Sequence, residues 1–193
     1  DQRGLAGAGG AEDADLGPGG NREARAALTV TDGALESDLG QDVLKTFVFE
    51  RHHETGTFGV GFTKGFGIKR GAMASTVAHD AHNLLVVGDD DEDMALAAQT
   101  LIDCGGGEVA VRDGRILGLV KLPILGLMSP RTVEEVAEEV RGVEKAWADM
   151  GCTMPSPFMT MGLLSLACIP DLRLTNRGYV DCNTYRFVPI ACE

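Results

Sequence analysis

The chain has 193 residues, 44% apolar and 24% charged, which suits one domain with a real core and is too hydrophobic for a disordered chain. A (β/α)8 barrel takes roughly 200–250 residues and does not fit in this length beside anything else. Seventeen Lys and Arg stand against 29 Asp and Glu, a net charge of −12, so nucleic acid and anionic membrane surfaces are not expected as partners. No run approaches the ~18 apolar residues of a membrane helix; the longest, Ile116 to Met128, is interrupted by Lys121 and Pro123. With no basic-then-apolar leader pattern, a cytoplasmic location is the expectation. Cys104, Cys152, Cys168, Cys182 and Cys192 are odd in number and contain no CxxC, which predicts free thiols rather than a disulfide framework or zinc knuckle.

Residues 1–27 are rich in Gly, Ala and acid around Gly17-Pro18-Gly19-Gly20 and read as a flexible leader, with the folded domain running over 28–193. Leu28 to Thr31 and Val43 to Glu50 read as strands, and Thr57 to Thr63 alternates Phe58, Val60 and Phe62 at period two. The last two pair as a hairpin across His53-Glu54-Thr55-Gly56. Asn83 to Val87 is an apolar run of strand length. Met94, Ala97, Ala98, Leu101 and Ile102 follow at helical spacing, behind the acidic run Asp89 to Asp93 that suits a helix N-terminus, and Gly105-Gly106-Gly107 stops the helix. Val109 and Val111, the turn Arg112-Asp113-Gly114-Arg115, then Ile116-Leu117 predict a second hairpin.

The clearest helix steps through Val133, Val136, Val140, Val143, Trp147 and Met150, opened by a Thr132/Glu135 capping box and closed by Gly151. A short helix at Phe158 to Ala167, a stop at Pro170 and a last strand through Tyr185 to Val188 complete the pattern. The fold class expected is α+β, with mainly antiparallel or mixed sheet covered by about three helices.

Between two strand-like runs lies Gly65-Phe66-Gly67-Ile68-Lys69-Arg70-Gly71-Ala72-Met73-Ala74-Ser75-Thr76-Val77-Ala78-His79-Asp80-Ala81-His82-Asn83. If it turns, the imidazoles of His79 and His82 converge with Asp80; if it is extended, they point to opposite faces. Ser75, His79, Asp80, His82 and Asn83 are the candidates for a site rim, against a role for His79 and Asp80 in simply holding the loop together. Converged, the two imidazoles and the carboxylate could meet on a metal or a polarised substrate; a resident metal is the weakest of these readings, since metal sites normally need three or four protein ligands, and no residue is assigned as a metal ligand. Ser75-Thr76 beside His79 lacks a G-x-S-x-G elbow. His52-His53-Glu54 matches the H-x-E half of a zinc deaminase signature without its P-C-x-x-C partner, and reads as a solvated turn. Gly65 to Gly71 carries no G-x-x-x-x-G-K-[ST]; its glycines read either as an anion cradle or as a tight crossing connection. Met154, Met159 and Met161 read as core filler.

With Asp91-Glu92-Asp93-Met94-Ala95, Gly105-Gly106-Gly107, Pro123-Ile124-Leu125-Gly126-Leu127-Met128-Ser129 and Pro157-Phe158-Met159-Thr160, this segment resembles the C-terminal domain of the metal-dependent, amidohydrolase-type adenine deaminases. In that family the resemblance implies a metal-bound hydroxide that attacks C6 of adenine, giving hypoxanthine and ammonia, with manganese or iron held by a separate barrel through an H-x-H and further ligands. This chain has no H-x-H, so those ligands map to no position here and no cofactor is assigned to it. The resemblance therefore implies a module that supports or caps a catalytic barrel, with that barrel or a homologous subunit as partner, adenine as substrate of the complete enzyme only, and homo-oligomers possible. The alternatives are a standalone small-ligand-binding or assembly domain, and an independent hydrolase using His79, Asp80 and His82.

Overall fold

Alternating Phe and Val with few charges make the first half β-rich, because such side chains fill a pleated surface covered on its faces. The structure, a computed structural model, describes residues 29–31 and 34–190; the expected leader and Cys192 lie outside the described residues. In chain order the elements are β1 (Thr29–Thr31), β2 (Ala34–Glu36), β3 (Val43–Phe49), β4 (Phe58–Lys64), β5 (Ala72–Ser75), β6 (Leu84–Gly88), α1 (Asp91–Cys104), β7 (Gly107–Arg112), β8 (Arg115–Lys121), α2 (Val133–Asp149), α3 (Pro157–Gly162), β9 (Leu172–Thr175), β10 (Gly178–Asp181) and β11 (Arg186–Val188).

Six strands form the central sheet in the order β4-β3-β6-β5-β7-β8, and every neighbouring pair is antiparallel. The strand run, helix and strand expected between Asn83 and Val111 are present as β6, α1 and β7, but β5 lies between the two strands. The sheet is therefore antiparallel throughout rather than mixed. A hairpin, β1-β2, and a three-stranded sheet, β11-β10-β9, complete the β structure.

Side chains of one strand alternate between faces, so the central sheet has two cores. Leu44, Val48, Met73, Leu85, Val87 and Ala110 meet Val143, Ala146 and Trp147 of α2, Met161 of α3, and Leu174 and Tyr179 of the small sheet. On the other face Ala72, Ala74, Val86, Val109 and Val111 meet Met94, Ala97 and Leu101 of α1.

Both long helices end as their sequences dictate. Asp90 caps α1 by accepting from the Asp93 amide, and Gly105, at φ +82°, returns its N–H to the last turn. Asp93 is buried and accepts from the amides of Asp113 and Gly114, so the acidic run also fixes the tip of the β7-β8 hairpin. Thr132 and Glu135 form the capping box of α2.

Four expectations need correction. Val133 is 76% exposed: the first turn of α2 overhangs the sheet, and its packed stripe starts at Val136. The helix expected over Phe158 to Ala167 ends at Gly162 and continues as turns. Ala72 to Ser75, assigned above to a loop, is the central strand β5, whose small side chains lie under both cores and carry no β-branched signal. The strands β9 and β10, in the stretch after Pro170 to which no element was assigned, form a hairpin around Asn176-Arg177. Among the described residues, no helix is long and apolar enough to cross a membrane.

Candidate functional site

The connection from β5 to β6 carries His79, Asp80, His82 and Asn83, with the fifth candidate, Ser75, closing β5, and it is turned rather than extended. The rings of His79 and His82 stand edge to face with centroids 5.2 Å apart, and His82 takes φ +50°. The backbone is clamped on several sides. The His79 amide donates to the Gly162 carbonyl at 2.8 Å, and Ser165 Oγ donates to the His79 carbonyl at 3.0 Å. From the β3-β4 turn, Arg51 Nε donates to the His82 carbonyl at 2.5 Å while its Nη2 reaches the Leu125 carbonyl at 2.6 Å, and His52 Nε2 meets the Ala81 carbonyl at 2.6 Å.

Ser75 lies beneath the loop, buried, with its Oγ accepting from the Val77 amide at 3.0 Å. That is an ST-type turn, and it occupies the hydroxyl a nucleophile would need. Buried Thr76 accepts from the Gly107 amide at 2.8 Å and donates to the Gly126 carbonyl at 2.7 Å, stapling the loop to two others. His82 Nδ1 accepts from the Ala78 amide at 3.3 Å, which puts the proton of the neutral ring on Nε2. Burial, then the neighbouring His79 and Arg51, push its pKa below the ordinary histidine value, and the ring is neutral near pH 7.

Asp80 and Asn83 face a cleft of about 480 Å³ between the loop and the small C-terminal sheet, whose other walls include Cys168, Asn176, Arg177 and Phe187. Arg177 sits over the Phe187 ring, 5.2 Å from its centroid. Asn83 is 5% exposed, and its Oδ1 has no hydrogen-bond partner. A buried acceptor left unpaired costs about 1–3 kcal/mol.

On the far side of Arg51 a second cavity of about 430 Å³ runs between the ends of β3 and β6 and the last turn of α1. Its rim includes Glu50, whose carboxylate gathers His52, His53 and Thr55. Burial raises the Glu50 pKa, but donation from His52, His53 and Thr55 outweighs it and brings the group down to about 2.

The alternative of an anion cradle at Gly65 to Gly71 loses to the structural one. The Gly67 and Gly71 amides are spent on Asp42 and Asp89, at 2.7 and 2.6 Å, and Phe66 and Ile68 are buried. His52, His53 and Glu54 form an exposed turn. Among the described residues, no three His, Cys, Asp or Glu side chains are placed to hold a metal ion, and with His82 Nδ1 engaged the loop does not fit one. Cys104, Cys152 and Cys168 are free thiols.

The sequence reasoning missed Arg51, Asn176 and Arg177. The first carries no motif; the other two sit in a Thr-Asn-Arg-Gly stretch whose turn chemistry was the available signal. Arg51→Ala removes the bond to the His82 carbonyl, so the amides of 79–83 should exchange with deuterium at least about tenfold faster, with the core strands unchanged. Peptide-resolved exchange checks this.

A family model described as "Adenine deaminase C-terminal domain" matches residues 21–186. Among curated proteins, the chain is 64% identical over 174 residues to an adenine deaminase of Clostridium botulinum (strain ATCC 19397 / Type A), covering 90% of this chain and 29% of that protein. It is 54% identical over 169 residues to one of Moorella thermoacetica (88% and 28%) and 47% identical over 164 residues to one of Methanothrix thermoacetophila (85% and 29%). The chain thus spans between a quarter and a third of the length of the curated relatives it matches.

Proposed function

The chain belongs to the adenine deaminase C-terminal domain family, and from that premise we propose that it is the non-catalytic C-terminal module of an adenine deaminase. In this reading the complete protein converts adenine and water to hypoxanthine and ammonia, on manganese or iron held by a barrel that the remaining polypeptide supplies. The module braces that barrel and sets the 79–83 loop at its mouth. The observation that carries the reading is the alignment itself: identity as high as 64% over 90% of this chain meets only 29% of the relative's length.

The chain's own residues suit a rigid wall better than a reaction centre. Arg51, His52, Gly162 and Ser165 hold the loop backbone, leaving Asp80 exposed beside the cleft. A prearranged wall lowers the ordering cost of whatever docks on it. The reading also implies a cytoplasmic protein.

Purified chain supplied with manganese or iron should release no ammonia from adenine above a blank. Adding the separately produced remainder of a relative, carrying the barrel, should raise turnover above that of the remainder alone. Appreciable turnover by this chain by itself overturns the proposal, and so does a remainder whose activity is indifferent to the module.

A further inference from the structure

In the central sheet the two faces are covered unequally. The small sheet and α2 cover one face from β4 to β8, through Leu174 and Tyr179 at one end and Val143 and Trp147 at the other. On the other face α1 lies over β5, β6, β7 and part of β8; toward β3 it reaches Lys45 through Asp91, at 2.7 Å, and borders Phe47 and Phe49. Among the described residues, Phe47, Phe49 and Phe58 share that end of the face with Val60 and Lys45. Phe47 and Phe49 stack at 5.6 Å between centroids, and Phe58 joins them at 6.1 and 5.6 Å.

Phe58 is 53% exposed, and Ile102 at the end of α1 is 62% exposed. Between them lies the 430 Å³ cavity, lined by Phe49, Leu84 and Leu101 and edged by Glu50, Arg51 and Glu54. An antiparallel sheet that faces water on one side ordinarily turns polar side chains outward. An aromatic floor inside a charged rim is the composition of a protein interface instead.

We infer that this aromatic face is the docking surface for the preceding, larger part of the full-length protein. The inference rests on the functional reading above and names the surface through which the module meets its partner. Three observations select that occupant. The relative from Clostridium botulinum is more than three times as long as the stretch this chain matches, and that stretch corresponds to the C-terminal domain model. The polypeptide arrives at this face: Glu36, at the end of the first hairpin, pairs at 3.2 Å with Lys45 Nζ, which projects from β3 on the same side as Phe47 and Phe49. The surface also continues into the proposed site, since Arg51 at its rim holds the His82 carbonyl.

The two other occupants fit worse. A second copy brings another net charge of −12 against the first. Residues 1–28 contain no aromatic residue and only Leu5, Leu16 and Leu28 as large apolar side chains, too little to fill the cavity and cover three rings.

Hydroxyl-radical footprinting of this chain, alone and mixed with the separately produced remainder of a relative, tests the assignment. Labelling of Phe58 and Ile102 should fall several-fold in the complex. A Phe58→Ser/Ile102→Ser double variant should bind about 30-fold more weakly or worse, since buried apolar anchors carry most interface energy. Both side chains are largely exposed, so the variant keeps its core, and footprinting of the unmodified chain does not depend on it.

If deaminase activity responds to the module while Phe58 and Ile102 label as in the isolated chain, the surface is wrong and the functional reading stands. Protection that grows with the concentration of the chain alone assigns the face to a second copy and overturns the inference. Protection already present at all dilutions, and lost on deleting residues 1–28, overturns it as well. Neither association nor any effect on activity removes the functional reading and this surface together.

Discussion

Gly59→Ala should detach the C-terminal sheet while leaving the rest of the domain folded. A Cβ at Gly59 would sit on the Thr175 carbonyl oxygen, far inside van der Waals contact, and 3.1 Å from the Gly178 amide nitrogen. Both obstacles are backbone and cannot rotate away. Two positions along, Gly61 leaves room for Tyr179, whose Oη accepts from the Phe62 amide at 2.5 Å and donates to its carbonyl at 2.8 Å. The small sheet is thus seated on β4 through two glycines and one phenol. Overpacking of this kind costs about 1–3 kcal/mol, and more where the backbone must move. The larger figure is expected here, concentrated on 172–190. Trypsin should then cut at Arg173, Arg177 and Arg186 at least about tenfold faster than in the parent, as local opening dictates. Gly142→Ala is the control: nothing lies within 4 Å of its Cβ and the residue is helical, so it should stabilise by about 0.5–1 kcal/mol. Equal protease resistance in the Gly59 variant would mean that the seat is looser than its geometry.

That seat explains which parts of the molecule were legible in the residues. The β3-β4 and β7-β8 hairpins, α1 and α2 follow from periodicity, an Asp-Gly turn and caps, all of which act over a few neighbouring residues. The strand β5 was not legible, because Ala72, Met73, Ala74 and Ser75 have no strand preference of their own and are extended by the partners on either side. The same holds for the site. The His79 to Asn83 loop stood out by composition, but the cleft before it exists only because Arg177 and Phe187, about a hundred residues away in sequence, are folded back by a joint on Gly59 and Gly61. Arg51 shows the limit most plainly: it ties the loop to a second segment through the His82 and Leu125 carbonyls, and a carbonyl partner leaves no trace in side-chain chemistry. The aromatic face was half visible, since the run Val43 to Glu50 and the Phe58, Val60, Phe62 alternation predicted strands without showing which rings would gather on one face.

Raising the pH from 5 to 9 should destabilise the domain, and Glu108→Gln should remove most of that loss. Glu108 lies in β7, with Ser75 and Val120 across from it in β5 and β8. By strand alternation its side chain shares the α2 face with Ala110, over the core that holds Val143 and Trp147. Burial, and secondarily the charge of Glu144, push its carboxyl up from 4.5 to about 8. The native state therefore keeps a proton that the unfolded chain gives up between these two values. Below about pH 4.5 both states are protonated and no penalty exists. Through the window stability falls as pH rises, by at most about 1.4 kcal/mol per pH unit, and above about pH 8 the loss is complete. Because the group keeps some contact with water, a total of about 3 kcal/mol is the sensible scale. Asp89, also raised by burial, adds a loss of stability in the same direction, beginning at its lower unfolded value. His82 opposes it, since a lowered histidine is penalised on the acid side of its unfolded value. The difference between parent and Glu108→Gln isolates the one carboxyl from both. Urea denaturation at pH 5, 7 and 9 should show the two proteins nearly equal at pH 5 and the variant about 2–3 kcal/mol more stable at pH 9. Glu144→Gln should move the upper edge of the window downward, because it removes a charge that disfavours the ionised form. Parallel stability curves for parent and Glu108→Gln would show that Glu108 ionises in the folded domain as it does in water.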